Sequence, residues 1–449
     1  MDTDEIYQMT AVQLRLAIQE KRIRVEELVR SYLVRIHQFD GVNGLNAIAE
    51  LDPSAISQAK AMDSQREKSL GNLPLFGLPI LVKDNIDVAG HHTAAGSLSL
   101  SDNIATKDAP IIANLRRNGA LILGKTNMTE FANYTTQGMP NGYSSRGGQV
   151  RNAYDHAKDP GGSSSGSAVA MSAGFCAAAV GTDTSFSVIG CATETGVTGL
   201  KPPHGSLSSQ GIIPISHTLD SAGPLTHDFA DALLLYSGMR DAPFNAITPT
   251  EPAELRIAIN GFGRKQVSEA QLARYEVLFD ALRKSGCSFS QVSHAGSPCI
   301  SDVMRCEFKH DLEYYLLSSS AKRKKLDEIV KYYESHPEQM MKYGISCLRG
   351  ALNEASGRLD DSPYLQALSE REKERSQLIK TMHEYDACVM TGPTNIMQFV
   401  GLPSVALKLC MAEDRTPRGI ILYGTDEVRL YAAALTIEKH CSKVALPTL

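Results

Sequence analysis

Excess positive charge is missing from this chain. Its 449 residues carry 45 Lys and Arg against 50 Asp and Glu, a formal net charge of −5. Without a basic field there is no electrostatic reason for phosphate backbones to be drawn in, which argues against nucleic acid as a direct partner. No apolar run approaches the roughly 20 residues of a membrane span, so no membrane association is expected. The acidic start Met1-Asp2-Thr3-Asp4-Glu5 has neither the basic nor the apolar region of a secretory signal, and the expected compartment is the cytoplasm. The 9 cysteines run from Cys176 to Cys441 with no CxxC pair and no Cys/His zinc spacing. They read as reduced, mostly buried thiols. His91-His92 and the other histidines show neither H-x-E nor H-E-x-x-H, so neither metal nor organic cofactor is expected. Repeats of 20–50 residues and low-complexity tails are absent as well.

What is present is ordinary globular material, 43% apolar, enough for a sizeable core. Length alone suggests two or three domains, and it also permits one large α/β domain with a variable insert. Apolar spacing of three and four predicts a helix over 10–38, with Thr10 as N-cap, and a second over 53–67. Phe76 to Val82 reads as a buried strand that delivers Lys83-Asp84-Asn85 to a loop. Further helices are predicted over 109–117 and from Asn127 to Tyr134, with a strand at Ala120–Leu123 between them. Residues 135–167 form a long Gly/Ser/Asn-rich loop of the kind that usually carries function. Ala168–Gly181, mostly small residues, reads as a tightly packed helix, and 182–224 as irregular chain. Strands are predicted at Leu255–Ile259, Ala387–Met390 and Gly419–Leu422. Helices are predicted at Glu269–Lys284, within 302–385 and at Val428–His440. Alternating strands and helices give the α/β class.

One motif invites a wrong reading. Gly119-Ala-Leu-Ile-Leu-Gly124-Lys125-Thr126 fits the expression for a P-loop, but its middle residues are apolar and themselves read as strand. A phosphate cradle needs those residues in a loop after a strand, so nucleotide binding is not expected. Two other segments are informative. Gly161-Gly162-Ser163-Ser164-Ser165-Gly166-Ser167-Ala168 precedes a helix and by itself allows a helix cap, an anion nest or part of a serine active site. Gly181-Thr182-Asp183-Thr184-Ser185-Phe186-Ser187 sets a serine on a tight turn. That is either a turn serine or a nucleophile with backbone amides around it.

Taken together, the strand-end Lys83, the Gly/Ser loop and the turn serine resemble the amidase signature family. Gly77-Leu-Pro-Ile-Leu-Val-Lys83-Asp84-Asn85, Gly124-Lys-Thr-Asn-Met128, Gly199-Leu-Lys-Pro202 and Leu219-Asp-Ser-Ala-Gly-Pro224 match as well, and 24 positions separate Ser163 from Ser187. The likeness is dense over residues 1–240 and weak elsewhere. The loop Ser145-Arg146-Gly147-Gly148-Gln149 looks most like the peptide-amidase branch. The resemblance implies an amidase signature fold, a central twisted mixed β-sheet flanked by helices on both faces, as one domain over 1–449. Its signature core would span about 70–240 and a variable helical cap about 240–385, with 386–449 rejoining the core. It implies hydrolysis of an amide C–N bond on a small amide or peptide amide. Ser187 would be the nucleophile, Ser163, on a cis peptide, the bridging serine, and Lys83 the base. The amides of Thr184, Ser185, Phe186 and Ser187 would form the oxyanion hole. Ser164, Phe186, Cys191, Arg146 and Gln149 are the pocket candidates, and homodimers are common in the family. The chain departs from the family pattern at Ser185-Phe186, where glycines are usual, at Ile189 in place of an arginine, and at Cys191 in place of a proline. The departure before the nucleophile leaves two alternatives beside hydrolysis: a catalytically impaired scaffold, or acyl transfer to an amine.

Overall fold

The computed structural model describes residues 3–69, 73–242 and 244–449. After a short helix at Thr3–Gln8, two helices, α1 (Ala11–Gln19) and α2 (Val25–Phe39), stand where periodicity predicts one. Lys21 takes a left-handed conformation between them, at φ 60°. The break is invisible to periodicity because both helices bury the same kind of face, Leu14, Ala17 and Ile18 on the first and Leu28, Val29 and Tyr32 on the second. Thr10 caps α1 as expected, accepting from the Gln13 amide at 3.2 Å. At the start of α2 the free amides of Val25 and Glu26 donate to the Asp63 carboxylate, each at 2.9 Å.

The chain then runs through β1 (Ile48–Leu51), α3 (Ala55–Ser69), β2 (Pro79–Lys83), α4 (Pro110–Arg117) and β3 (Leu121–Thr126). The P-loop-like segment lies within β3, and the Lys125 amine donates to the His92 carbonyl at 2.8 Å, as a buried strand lysine would. The helix expected from Asn127 is only a 3₁₀ turn at Glu130–Asn133, since Phe131 and Ala132 take positive φ. After α5 (Ser165–Ser172) comes the larger correction. Ala178–Asp183 is not the end of a small-residue helix but a strand, β4. It lies between β2, its parallel neighbour, and a later antiparallel strand, and every residue is buried. Small side chains there let α5 lie close on the sheet: a Cβ on Gly181 would stand 2.7 Å from Ser164 Oγ. The stretch expected to be irregular holds α6 (Ile189–Thr195), β5 (Thr198–Lys201) and β6 (Ser221–Thr226).

The second half follows its periodicity more closely. It contains α7 (Phe229–Met239), β7 (Arg256–Asn260), α8 (Glu269–Lys284), β8 (Ser288–Val292), α9 (Ile300–Ser318), α10 (Leu326–Ser335) and α11 (Ser362–Met382). It closes with β9 (Ala387–Met390), β10 (Ser404–Met411), β11 (Pro417–Tyr423) and α12 (Glu427–Glu438). The described residues form one mixed sheet of 11 strands in the order β1-β3-β2-β4-β6-β5-β10-β11-β9-β7-β8. Alternation along β10 shows both faces covered. Val405, Leu407 and Leu409 pack with Phe229 of α7 and Tyr431 of α12, while Ala406 joins Ala192 of α6. A third cluster sets Phe308 and Leu312 of α9 on Phe131 and Tyr134, roofing the loops that follow β2 and β3. No helix of the described residues is long and apolar enough to cross a membrane, and all nine cysteines are free.

Gly181 and Gly223 face each other across β4 and β6. A Cβ on Gly223 would stand 2.0 Å from the Leu200 carbonyl oxygen of β5. Backbone cannot yield as a side-chain tip can, so Gly223→Ala is expected to destabilise by about 2–3 kcal/mol. Thermal unfolding should show a midpoint several degrees lower, and an unchanged midpoint contradicts this account of the packing.

Candidate active site

Lys83 ends an apolar strand and is fully buried. A dry strand end must supply acceptors for an amine, and three oxygens do so. Its Nζ donates to Ser163 Oγ at 2.8 Å, to Thr182 Oγ1 at 2.8 Å and to the Thr182 carbonyl at 3.2 Å. The Asn85 amide nitrogen also donates to Thr182 Oγ1, at 3.1 Å, and so fixes that hydroxyl from the far side. Burial pushes the Lys83 amine down to about 8, against the opposing pull of Cys191, Asp183 and Asp220.

Ser163 follows a cis peptide bond from Gly162, as the resemblance implies. Its carbonyl accepts from the Thr129 amide at 3.0 Å. The approach is crowded. A Cβ on Gly161 would stand 2.6 Å from Cys191 Cα, and one on Gly162 2.1 Å from Asn141 Oδ1. Glycine is required at Gly161 by the Cys191 backbone and by its φ of 72°, while at Gly162 a side chain would have to displace Asn141.

Ser187 lies on the turn between β4 and α6 and is nearly buried. Two carboxylates hold that turn. Asp183 Oδ2 accepts from the amides of Val188 at 2.7 Å and Ile189 at 3.2 Å, closing the turn onto the start of α6. Asp220 Oδ1 accepts from Thr184 Oγ1 at 2.6 Å, and its Oδ2 accepts from the amides of Ile215 at 2.8 Å and Ser216 at 3.1 Å. Burial pushes the Asp220 carboxyl up to about 7. The Ser187 carbonyl accepts from the Ser164 amide at 3.2 Å, which ties the two serine segments together. Among the described residues, the amides of Ser185, Phe186 and Ser187 donate to no protein acceptor, so they are free to meet an oxyanion. Phe186 does take the left-handed conformation that glycine fills more easily, at φ 68°. For a bulky residue this costs about 1–2 kcal/mol. The ring rests half-buried against the main core.

The pocket candidates divide. Ser164 is buried, its hydroxyl donating to the Thr182 carbonyl at 3.1 Å. Cys191 is buried beneath Gly161 and donates to the Ser187 carbonyl at 3.3 Å, its thiol pushed up to about 12 by burial. Arg146 pairs with Asp84 at 3.5 Å, and the Gln149 amide nitrogen donates to the carbonyls of Asn141 at 2.7 Å and Val150 at 2.8 Å. Beside Lys83 and the Ser187 turn a cavity of about 520 Å³ is lined by Thr182, His217, Asp220, Ala222, Asp311 and Tyr315, among others. It reaches the residues that support Lys83 and the Ser187 turn, but not Ser163 or Ser187 themselves. Sequence reasoning did not assign roles to Asn85, Thr182, Asp183 or Asp220. The available signal was physical: a lysine and a turn inside an apolar core need buried polar partners, and these four lie in segments already quoted for their likeness.

Comparison with known proteins agrees with this geometry. The model of the family described as Amidase matches residues 27–400. A probable amidase of Arabidopsis thaliana is 29% identical over 467 aligned positions, covering 97% of this chain and 91% of that protein. Among solved structures, an amidase family protein from Bacillus anthracis superposes with a TM-score of 0.92 at 29% identity, over 100% of this chain and 94% of the other. The peptide amidase of Stenotrophomonas maltophilia gives 0.88 at 28%, over 98% of each. The chain belongs to the amidase family and is an amide hydrolase with the mixed α/β fold of its relatives.

Proposed function

We propose that the chain hydrolyses a small carboxamide or peptide amide through a serine acyl-enzyme, with Ser187 as nucleophile, Ser163 as proton relay and Lys83 as base. The observation that carries this reading is the 2.8 Å contact from Lys83 Nζ to Ser163 Oγ at a fully buried strand end. A neutral amine there keeps two N–H groups for the Thr182 oxygens and turns its lone pair to the Ser163 proton. Ser163 then accepts the proton of Ser187 as Ser187 Oγ bonds to the amide carbon. The negative charge that develops on the carbonyl oxygen meets the free amides of the turn. Collapse breaks the C–N bond, and the proton returns through Ser163 to the leaving nitrogen. Water then repeats the sequence and releases the acid. The likeness to the Stenotrophomonas peptide amidase favours amides of amino acids or peptides as substrates. The packing of α9 over Phe131 and Tyr134 supports a cap role for residues 240–385 at the substrate entrance.

Labelling with a small fluorophosphonate should add one adduct at Ser187, read by intact mass and peptide mapping. The adduct should be lost in Ser187→Ala and Lys83→Ala. A labelled Ser187→Ala protein, or a folded wild type that never labels, counts against the acyl-enzyme.

The base must be neutral to act, and a group with pKa about 8 is neutral above that value. At pH 7 roughly a tenth of the molecules carry the free amine. The rate kcat/KM should therefore rise with pH through a midpoint near 8 and level off above it. A profile already flat from about pH 6 upward removes Lys83 from the role of base.

Asp220→Asn keeps the size of the side chain but weakens its hold on Thr184 and the 215–216 amides. The expected result is a fall in kcat of about 10–100-fold with KM little changed, somewhat below the cost of losing an oxyanion donor outright. Steady-state kinetics on one amide substrate tests this, and a pure KM effect contradicts it.

A further inference from the structure

On the far rim of the 520 Å³ cavity, away from the two serines, α9 and the turn before β6 bring together side chains that the amidase reading does not use. His310 and Asp311 lie next to each other on α9, and His217 faces them from the turn. Asp311 Oδ1 is 3.0 Å from His217 Nδ1 and 2.8 Å from His310 Nδ1. One donor atom from each of the three residues falls within 4.8 Å of the others.

His217 Nδ1 lies 2.9 Å from Asp311 Oδ2 as well as 3.0 Å from Oδ1, and His310 Nδ1 shares Oδ1 with it, so two imidazole nitrogens crowd one carboxylate. If both rings are charged they repel across a single anion, and if both are neutral the oxygen takes two weak bonds. A divalent cation satisfies all three atoms at once. Zinc bonds of about 2.0–2.2 Å set tetrahedral donors roughly 3.3–3.5 Å apart, a few tenths of an ångström beyond the contacts here. The second nitrogen of His217 adds an independent argument. Its Nε2 lies 3.3 Å from Glu307 Oε1, a fully buried carboxylate. Glu307 is itself held by Ser216 Oγ, by Thr218 N at 3.0 Å and by the Tyr364 hydroxyl at 2.7 Å. A histidine with one nitrogen beside a fixed carboxylate and the other turned to a second ligand group is placed as metal-bound histidines are. Asp311 is fixed in the same way, its Oδ2 accepting from the His217 amide at 2.7 Å.

We propose that His217 Nδ1, His310 Nδ1 and Asp311 Oδ1 form a binding site for a divalent ion that accepts nitrogen ligands, such as zinc, cobalt or nickel. Its remaining coordination positions are left to water on the cavity side. The ion joins α9 to the turn that also supplies the Ile215 and Ser216 amides to Asp220. Neither histidine donates to Lys83 or to the serine segments.

The test uses the full chain, stripped of metal and titrated with cobalt(II). Expected are one ion per chain, visible bands of nitrogen and oxygen ligation without a thiolate charge-transfer band, and a higher thermal midpoint on saturation. Binding should be tighter at about pH 8 than at about pH 6, because protons compete for both Nδ1 atoms. His310→Ala and His217→Gln should each weaken binding by about tenfold or more, and His310→Ala, outside the cavity lining, should leave hydrolysis without metal within about twofold of wild type. His310→Gln serves in place of His310→Ala if the latter unfolds. Thiolate bands, binding that survives in both variants, or no saturable binding up to millimolar cobalt overturns the proposal.

Discussion

An amine buried at the end of an apolar strand organises everything around it. Desolvation loosens the hold of Lys83 on its proton relative to a free lysine, and its remaining N–H groups then need acceptors inside the core. Both Thr182 oxygens and Ser163 Oγ meet that demand. Thr182 can do so only because β4 runs beside β2 in parallel register, with Val82 opposite Val180. The run of small residues in β4 follows from the same constraint, since α5 must lie close enough to bring Ser163 over the strand end.

The Ser187 turn is held from its two ends rather than from within. Asp183 binds the first amides of α6, and Asp220 reaches across from the next strand's approach to hold Thr184. Leaving the turn's own amides unpaired is what makes them available to a developing oxyanion, so rigidity has to come from neighbouring elements. Phe186 fits this scheme. Its backbone takes the left-handed conformation that glycine adopts more easily, and its ring resting on the core offsets part of the cost.

The region that carries least of the family likeness still meets the catalytic frame through one turn. Glu307 and Asp311 on α9 receive donors from Ser216, His217 and Thr218. The same turn gives two amides to Asp220. Changes in α9 therefore have a short physical route to the Ser187 turn, through hydrogen bonds that share one backbone segment.

Amino-acid pattern alone determined a good deal here. The apolar run ending in Lys83 and the two Gly/Ser segments, each open to a plain structural reading by itself, together carried the family resemblance that marks Lys83, Ser163 and Ser187 as candidates. Periodicity found α8, β7, β9 and α12 within a residue or two, because each carries a strong apolar repeat and clear flanking turns. Context corrected the P-loop expression for the same reason, since apolar residues between the two glycines belong in a strand. What the pattern could not decide was set by long-range pairing. Ala178–Asp183 has helix-favouring alanines and becomes a strand because β2 and β6 hydrogen-bond it from both sides. The break at Lys21 and the positive φ values at Phe131 and Ala132 leave no trace in hydrophobic spacing. Asp220 lies 38 residues from Thr182 and 33 from Ser187 in the numbering. Its grip on Thr184, like the meeting of His217 with Glu307 and Asp311, exists only once the sheet and α9 are assembled, because these contacts join residues far apart in the chain.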